Sequence, residues 1–277
     1  MAVSMLTGSQ SPKAIAALEA IVDGSVLVVP ALLEGGSRYA FEKPNTQATI
    51  DGDGYRLSGK KILVTGGDAA DEFIVTASLD GRPALFLVSA GDDNLIRTTY
   101  RQLDGSWAAD IALDGVRVEG DALVGGIEAL TRGLDSGAIG VAALEVGVLD
   151  RVLEVTSDYI HIRKQFGQPL ASFQALQHIM SDLFINTEMA RSSVHSGLAG
   201  TLRSAEERQK AISAARVRCD RAALTVGNMG IYLHGGMGMT MEYPVGHHYR
   251  RLVQLTRAFG DTEYHISRYE GLAFADN

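Results

Sequence analysis

The stretch Arg163–Gln174, RKQFGQPLASFQ, interrupts a long helical pattern and places a guanidinium, an aromatic ring and a carboxamide around a turn at Gly167-Gln168-Pro169. A second stretch, His234–Val245, reads HGGMGMTMEYPV and puts the pair Gly235-Gly236 directly after another long helical pattern. Arginine presents a planar fork of donors that suits phosphate. Glycine has no Cβ and lets the backbone approach a ligand closely. Two such stretches in one helical region predict a dinucleotide site.

Around these stretches, from Gly125 onward, apolar residues recur every three or four positions. Four segments show this period, residues 141–162, 173–183, 212–233 and 249–269. Long amphipathic segments joined by short Gly- and Pro-containing links are typical of a four-helix bundle, in which we expect Tyr249–Tyr269 to form one helix. A surplus apolar face on such a bundle predicts oligomerisation.

Before Gly125, short β-branched or aromatic runs alternate with turn residues. Ala48–Ile50 and Tyr55–Leu57 flank Asp51-Gly-Asp-Gly54, which predicts a β-hairpin. The close spacing of the runs favours antiparallel pairing over βαβ crossovers. The fold class predicted is therefore α+β, with an antiparallel β domain followed by a C-terminal four-helix bundle. A short helix is expected over Ile15–Val22.

Composition narrows the class of protein. The net charge of −8 argues against nucleic-acid binding and gives no reason to expect an anionic membrane surface as partner. The longest apolar run, Val26–Leu33, is too short to span a membrane and contains Pro30. Cys219 has no second cysteine to pair with, and the N-terminus lacks a secretory leader, so a soluble, cytoplasmic protein is expected. The histidines lack metal-ligand spacing, which predicts no metal site.

Several motifs occur in the order found in one known family, and they cover nearly the whole chain. They are Gly59–Thr65, Asp114–Val118, Leu123–Gly125, Arg163–Gly167 with Gln174, Gly235, Gly236 and Gly238, and Glu242–Val245. In these residues the chain resembles the acyl-CoA dehydrogenase family of flavoenzymes. The resemblance implies three parts: a remnant of the family's largely missing N-terminal helical domain (1–29), the β domain (30–120) and the bundle (121–277).

The resemblance also implies a cofactor and its binding residues. In this family FAD lies between subunits, and the bundle of one subunit grips the adenosine-diphosphate part of the cofactor whose flavin is held by the other. A glutamate on the bundle removes the α-proton of an acyl-CoA substrate. The corresponding cofactor-binding residues here are Arg163, Phe166, Gln174, Gly235, Gly236 and Thr65.

The chain departs from the family pattern at the flavin and at the base. Tyr39-Ala40 stands where the family has a small hydroxyl residue followed by aspartate, and Leu63 stands where it has an aromatic residue. Phe259-Gly260 aligns with the catalytic glutamate-glycine, and the position used by some relatives falls near Gly137. No catalytic residue is assigned. Glu270 is a candidate only if an insertion offsets the last helix, since it lies about three helical turns late. Asp261 and Asp135 lie near the two positions.

The leading hypothesis is a subunit of a FAD-dependent acyl-CoA dehydrogenase complex, active only as a hetero-oligomer. It resembles the incomplete subunit of α2β2 dehydrogenases that act on steroid side-chain CoA thioesters in β-oxidation. A complete partner subunit would supply the catalytic base, and an electron-transfer acceptor would reoxidise the flavin. The alternatives are a homo-oligomeric enzyme that uses Glu270, Asp261 or Asp135 as base, and a non-catalytic assembly or regulatory protein.

Most of these residues also have purely structural interpretations. Arg163 could satisfy helix-end carbonyls, and Gly235-Gly236 could form a helix C-cap, which is compatible with ligand binding. Cys219 lies in an apolar stripe and is expected in the core. Arg216, grouped with Arg218, Arg221 and two glutamates, is expected on a solvated helix face.

Overall fold

The computed structural model describes residues 1–274. The chain forms two compact units, Met1–Ser136 and Gly137–Asn277. The three-part division expected above, 1–29, 30–120 and 121–277, stays a prediction. None of the described helices combines the length and the apolar character needed to cross a membrane.

The first unit is built around one mainly antiparallel sheet. Its strands are β1 (Val28–Ala31), β2 (Gln47–Asp51), β3 (Gly54–Thr65), β4 (Glu72–Leu79), β5 (Arg82–Ser89), β6 (Leu95–Arg101), β7 (Trp107–Glu119) and β8 (Leu123–Gly125). They are ordered β6-β7-β3-β2-β4-β5-β8, with β1 beside β4. Only the pairs β1–β4 and β2–β4 are parallel within the described sheet. The prediction of an α+β protein with an antiparallel sheet is confirmed.

The predicted hairpin is present between β2 and β3. Asp51 pairs with Gly54, and Gly52 adopts φ 66°, a left-handed conformation that glycine adopts without strain. Most of the fully buried side chains of the sheet are apolar, among them Leu57, Phe73 and Phe86. On β7 the buried Ile111 and Leu113 alternate with less buried neighbours, which fixes the register of that strand, whereas β4 and β5 are each buried over five successive residues.

A buried ion pair ties three parts of this unit together. Lys61 on β3 is fully buried, and its Nζ lies 2.7 Å from Glu34 Oε1 and donates to Thr76 Oγ1 at 2.8 Å. Glu34 Oε1 also accepts the hydroxyl of Thr46 at 2.6 Å and its N–H at 2.9 Å. Burial raises the pKa of the Glu34 carboxyl, but the bonds from Lys61 and Thr46 outweigh it and hold that pKa below its usual value. Burial lowers the pKa of Lys61 to about 8.

Seven α-helices lie in the described chain. They are α1 (Ala2–Leu6), α2 (Pro12–Asp23), α3 (Ile127–Ile162), α4 (Gln174–Gly200), α5 (Ala205–His234), α6 (Pro244–Leu255) and α7 (Thr262–Ala273). The helix expected over Ile15–Val22 lies inside α2, which Ser11 caps by accepting the N–H of Ala14 at 3.2 Å. The change to a helical period after Gly125 is confirmed, since α3 begins two residues later.

In the second unit, helices α3 to α6 share one apolar core. Leu149 on α3, Leu183 on α4, Val226 on α5 and Leu252 on α6 all lie in it. Cys219 is fully buried in the same core, as predicted, and burial raises the pKa of its thiol to about 12. These contacts explain the three- and four-residue apolar period of the sequence.

The prediction of one helix over Tyr249–Tyr269 is wrong, because the chain breaks between Leu255 and Thr262. Phe259 has φ 55° and Gly260 φ 109°, both outside the helical region. Asp261 then caps α7, because its Oδ1 accepts the N–H of Tyr264 at 3.0 Å. Apolar spacing continues through the break, so periodicity alone did not reveal it.

The prediction that Arg216 lies on a solvated helix face is also wrong. Arg216 is fully buried, and its Nη1 donates to the buried Glu145 Oε2 of α3 at 3.3 Å. A prediction from apolar spacing assigns every charged residue to the surface. Pairing with an opposite charge nevertheless allows such a residue to be buried.

Candidate functional site

The turn after α3 displays an aromatic side chain. Two short strands, β9 (Lys164–Gln165) and β10 (Gln168–Pro169), pair across Phe166 and Gly167, which have φ 54° and 81°. Positive φ at both central residues is the geometry of a tight two-residue hairpin. Phe166 is 94% exposed, and its ring lies edge-on to that of Phe173 at 6.2 Å. A bulky residue held in the left-handed region and presented to the outside indicates a contact surface.

Arg163 has a fixed backbone and a free side chain. Its N–H donates to Tyr159 O and its carbonyl accepts the N–H of Leu170, both at 2.8 Å. Its guanidinium forms no hydrogen bond or ion pair within residues 1–274, so it does not satisfy helix-end carbonyls there. An exposed cation with an anchored backbone is available to an anionic ligand.

The glycine pair follows α5, and its two members differ. Gly235 is the C-cap residue with φ 56°, a conformation that favours glycine. A Cβ added to Gly236 would meet no heavy atom within 4 Å among the described residues. At Gly238, by contrast, a Cβ would lie 2.8 Å from the carbonyl oxygen of Ile231. Packing therefore explains Gly238 and backbone geometry explains Gly235, whereas neither explains Gly236.

Arg163, Gly235 and Gly236 line one cavity of about 580 Å³. The wall also includes Tyr159, Leu170, Leu176, Tyr232, His234 and Thr240. A concave site of this size with an apolar wall and a few polar groups is suited to part of a small-molecule ligand. Two predicted residues are not in the wall: Phe166 lies on the exposed turn, and Gln174 is the exposed first residue of α4.

His234 and Tyr159 belong to the site, although the sequence did not single them out for it. The buried ring of His234 stacks on that of Tyr159 at 4.4 Å, and its Nδ1 lies 2.7 Å from the carbonyl oxygen of Gly230. Tyr159 Oη donates to the carbonyl oxygen of His234 at 3.2 Å. Burial lowers the pKa of His234, which favours the neutral form of the ring. The available signal was spacing, since Tyr159 precedes Arg163 by one helical turn and His234 precedes the glycine pair directly.

The predicted residues of the sheet lie in the other compact unit. Thr65 is the exposed last residue of β3, and its Oγ1 accepts a hydrogen bond from Gln102 Nε2 at 3.1 Å. Leu63 sits at a bulge of β3 with φ 53° and is 46% exposed. Its N–H faces Tyr100 Oη and Asp110 Oδ1, each at 3.2 Å.

The candidate bases lie in different settings. Glu270 is exposed on α7. Asp261 is buried and caps α7, and its Oδ2 lies 3.7 Å from Arg257 Nη1. Asp135 is buried on α3. Phe259, which aligns with the expected base, is half-buried and carries no group that could accept a proton.

Residues 125–269, which include the walls of the cavity lined by Arg163, match the family model for the C-terminal domain of acyl-CoA dehydrogenases. The match covers more than half of the chain, and the chain therefore belongs to the acyl-CoA dehydrogenase family. The resemblance stated from the motifs is confirmed.

Relatives include the acyl-CoA dehydrogenase FadE27 of Mycobacterium tuberculosis, 30% identical over 80% of this chain and 61% of that protein. The short-chain-specific acyl-CoA dehydrogenase of Megasphaera elsdenii is 30% identical over 83% of this chain and 63% of its own length. The chain thus spans less than two thirds of these relatives.

Solved structures give the same result. A variant of the steroid ACAD Tcur3481-Tcur3483 superposes with a TM-score of 0.89 and 30% identity, over 98% of this chain and 74% of that one. The ChsE4-ChsE5 complex of Mycobacterium tuberculosis superposes with a TM-score of 0.90 and 26% identity, over 99% and 74% of the respective chains. Each name joins two components, and the second is called a complex.

Proposed function

We propose that this chain is one subunit of a hetero-oligomeric, FAD-dependent acyl-CoA dehydrogenase and that it grips the adenosine-diphosphate part of a FAD whose flavin is held by a partner subunit. The observation that carries the proposal is the cavity lined by both Arg163, whose guanidinium is unpaired among the described residues, and Gly236, a glycine that nothing in the described chain requires. A cation and a stretch of backbone without a Cβ suit a pyrophosphate linked to a nucleoside.

The residues present fit this end of the cofactor. Arg163 would hold the pyrophosphate by charge-assisted hydrogen bonds. Gly235 and Gly236 would admit the cofactor close to the backbone, and the exposed ring of Phe166 would cover an apolar or aromatic part of it. Gln174, at the first turn of α4, would add a polar contact. When bound, FAD supplies the hydride acceptor for oxidation of a CH–CH bond.

The second part of the proposal is that the partner supplies the base. Phe259 occupies the aligned position, Asp261 is engaged as a helix cap, and Glu270 is exposed on α7. Proton abstraction needs a carboxylate within hydrogen-bond reach of the substrate and a tuned pKa. We infer that this chain contributes cofactor binding and that the partner contributes the carboxylate and the acyl-CoA pocket.

One of the superposing structures, rather than the short-chain-specific relative, is the reason to propose a bulky acyl-CoA as substrate. One superposing structure is named a steroid ACAD and another is a complex of two proteins. We propose a steroid side-chain CoA thioester as the substrate class for the assembled complex, an α2β2 assembly, and a separate electron-transfer acceptor.

Co-expression with the protein of a neighbouring open reading frame tests the proposal. We expect the co-purified complex to be yellow, with flavin absorbance near ~450 nm, and the chain alone to be colourless, because each carries only part of the FAD site. Dehydrogenase activity from the isolated chain would favour the homo-oligomeric alternative, and Glu270→Gln would then test its base. A colourless complex would favour a non-catalytic assembly role.

Gly236→Ala separates cofactor binding from folding. Because the new methyl group meets nothing in the described chain, we expect the free energy of unfolding to change by less than about 0.5 kcal/mol. The same methyl group would crowd the cofactor and weaken FAD binding by about 1–3 kcal/mol. Thermal unfolding and FAD titration of the co-purified complex measure both quantities.

Gly147→Ala is the matched control, since Gly147 lies exposed on α3 with equally open space around its Cα. It should leave FAD binding unchanged. Equal FAD affinity in the Gly236→Ala and Gly147→Ala complexes would show that the cofactor does not approach Gly236.

A further inference from the structure

Three charged side chains meet in the interior of the second unit. Arg216 and Asp220 on α5 and Glu145 on α3 are all fully buried. Arg216 Nη1 donates to Glu145 Oε2 at 3.3 Å, and Arg216 Nη2 lies 2.9 Å from Asp220 Oδ1. Two carboxyl groups therefore flank one guanidinium away from water.

The same guanidinium holds the segment between α6 and α7, Thr256–Asp261, which we call the α6–α7 turn. Arg216 Nη2 donates to the carbonyl oxygens of Leu255, Ala258 and Gly260 at 3.3, 3.4 and 3.3 Å. A cation at the last carbonyls of a helix stabilises its C-terminus. Within this turn Phe259 adopts a left-handed φ that a bulky residue rarely takes. The conformation of the turn thus depends on a side chain from another helix.

The charges of this cluster do not balance if both carboxyl groups are ionised. Glu145 Oε1 and Arg216 Nε find no hydrogen-bond partner among the described residues, and Asp220 Oδ1 has only its ion-pair contact with Arg216 Nη2. A buried unpaired charge is costly, and such a group keeps a proton instead. Burial raises the pKa of Glu145 well above its usual value in spite of Arg216, and burial raises the pKa of Asp220 to about 6.

Among the described residues, the titratable and charged groups that face the cluster come from α5, the α6–α7 turn and α7. On α7, burial lowers the pKa of His265 to about 3, so its ring is neutral, and Arg268 adds to this effect from the same helix. Thr262 Oγ1 donates to Asp220 Oδ2 at 3.2 Å. Asp261 adds a further carboxylate nearby, with Arg257 3.7 Å from it. On α5, Cys219 is a neutral thiol, since burial raises its pKa to about 12.

We propose that Glu145, Arg216 and Asp220 form a proton-dependent clamp on the α6–α7 turn. With one proton shared between the two carboxyl groups, the cluster is neutral and Arg216 holds the turn carbonyls. When that proton leaves, the excess negative charge draws water into the cluster and pulls the guanidinium away from those carbonyls. The turn then opens. Arg216 is a positioning residue in this scheme, and the clamp requires no cofactor.

The direction of the pH dependence follows from the raised pKa values. A carboxyl group whose folded-state pKa is raised stabilises the fold fully below its unfolded value and loses that contribution as the pH rises through the folded value. For Asp220 the contribution is lost as the pH rises from 3.8 to about 6, and for Glu145 it is lost above pH 4.5. The turn is therefore closed near pH 5 and looser near pH 8.

Hydrogen–deuterium exchange of the full chain tests the clamp. After correction for intrinsic chemical exchange, peptides covering the α6–α7 turn should exchange at least about tenfold faster at pH 8 than at pH 5, since one pKa unit corresponds to a factor of ten. Glu145→Gln and Asp220→Asn each leave one carboxylate for one guanidinium. In each variant the ratio of the exchange rates at pH 8 and pH 5 should fall below about twofold.

Glu154→Gln is the control, because Glu154 lies exposed on the same helix α3 and pairs with Arg151 at the surface. It should keep the wild-type ratio. Arg216→Lys retains the charge without the fork of donors and should loosen the turn already at pH 5. The proposal would be overturned if exchange of the wild-type turn did not depend on pH. It would also be overturned if Glu145→Gln and Asp220→Asn showed the same pH dependence as the wild type.

Discussion

Replacing Lys61 with methionine should lower the free energy of unfolding by about 3–5 kcal/mol, which is the usual consequence of leaving one partner of a buried ion pair unpaired. Glu34 would remain buried with two bonds from Thr46 and no cation. Trp107, the single tryptophan of the chain, lies on β7 in the same unit. Urea unfolding followed by its fluorescence therefore reports the stability of that unit.

The adjacent Lys60 gives the matched control. Its side chain is largely exposed and lies 3.6 Å from Asp110, so Lys60→Met should change the stability by less than about 1 kcal/mol. The double variant Lys61→Met with Glu34→Gln should recover part of the loss, because it removes the unpaired charge. Equal effects of Lys60→Met and Lys61→Met would show that the Glu34–Lys61 pair does not hold the loop before β2.

Arg163→Ala should weaken FAD binding in the co-purified complex by about 1.5–3 kcal/mol, which is roughly ten- to 150-fold in Kd. The loss corresponds to a charge-assisted hydrogen bond to a phosphate group. Because Arg163 makes no side-chain bond within the described chain, its removal should leave the unfolding transition nearly unchanged. Equilibrium dialysis of the apo-complex against FAD gives the affinity.

Arg151→Ala removes another exposed arginine from the same helix, one that pairs with Glu154. FAD affinity should be the same as in the wild-type complex. If Arg163→Ala and Arg151→Ala bind FAD equally well, the cavity beside Gly235-Gly236 is not where the cofactor's phosphates lie.

Local patterns were sufficient to predict most of the architecture. The hairpin of β2 and β3 and helices α3, α4 and α5 follow from alternation, turn residues and apolar spacing, all of which act over a few neighbouring residues. The family was recognisable because several short motifs occur in the right order. Arg163 and the glycine pair, predicted as site residues from these motifs, line one cavity, and their role in cofactor binding stays a prediction.

What the sequence did not reveal depends on long-range contacts. The break between α6 and α7 is stabilised by Arg216, which lies about forty residues earlier in the chain and interacts with Glu145 of yet another helix. Burial of Arg216 cannot be inferred from its own helix, where charged neighbours favour a solvated face. The stack of His234 on Tyr159 likewise joins residues on two helices. Such pairs become visible only when the helices are packed together.

The most direct test of the account is photolabelling of the co-purified complex with a FAD analogue that carries a photoreactive azide on its adenine. We expect the label on this chain, in peptides containing Arg163 to Gln174 or Tyr232 to Thr240. Labelling confined to the partner subunit, with none on this chain, would contradict the claim that its helices bind the nucleotide end of another subunit's cofactor.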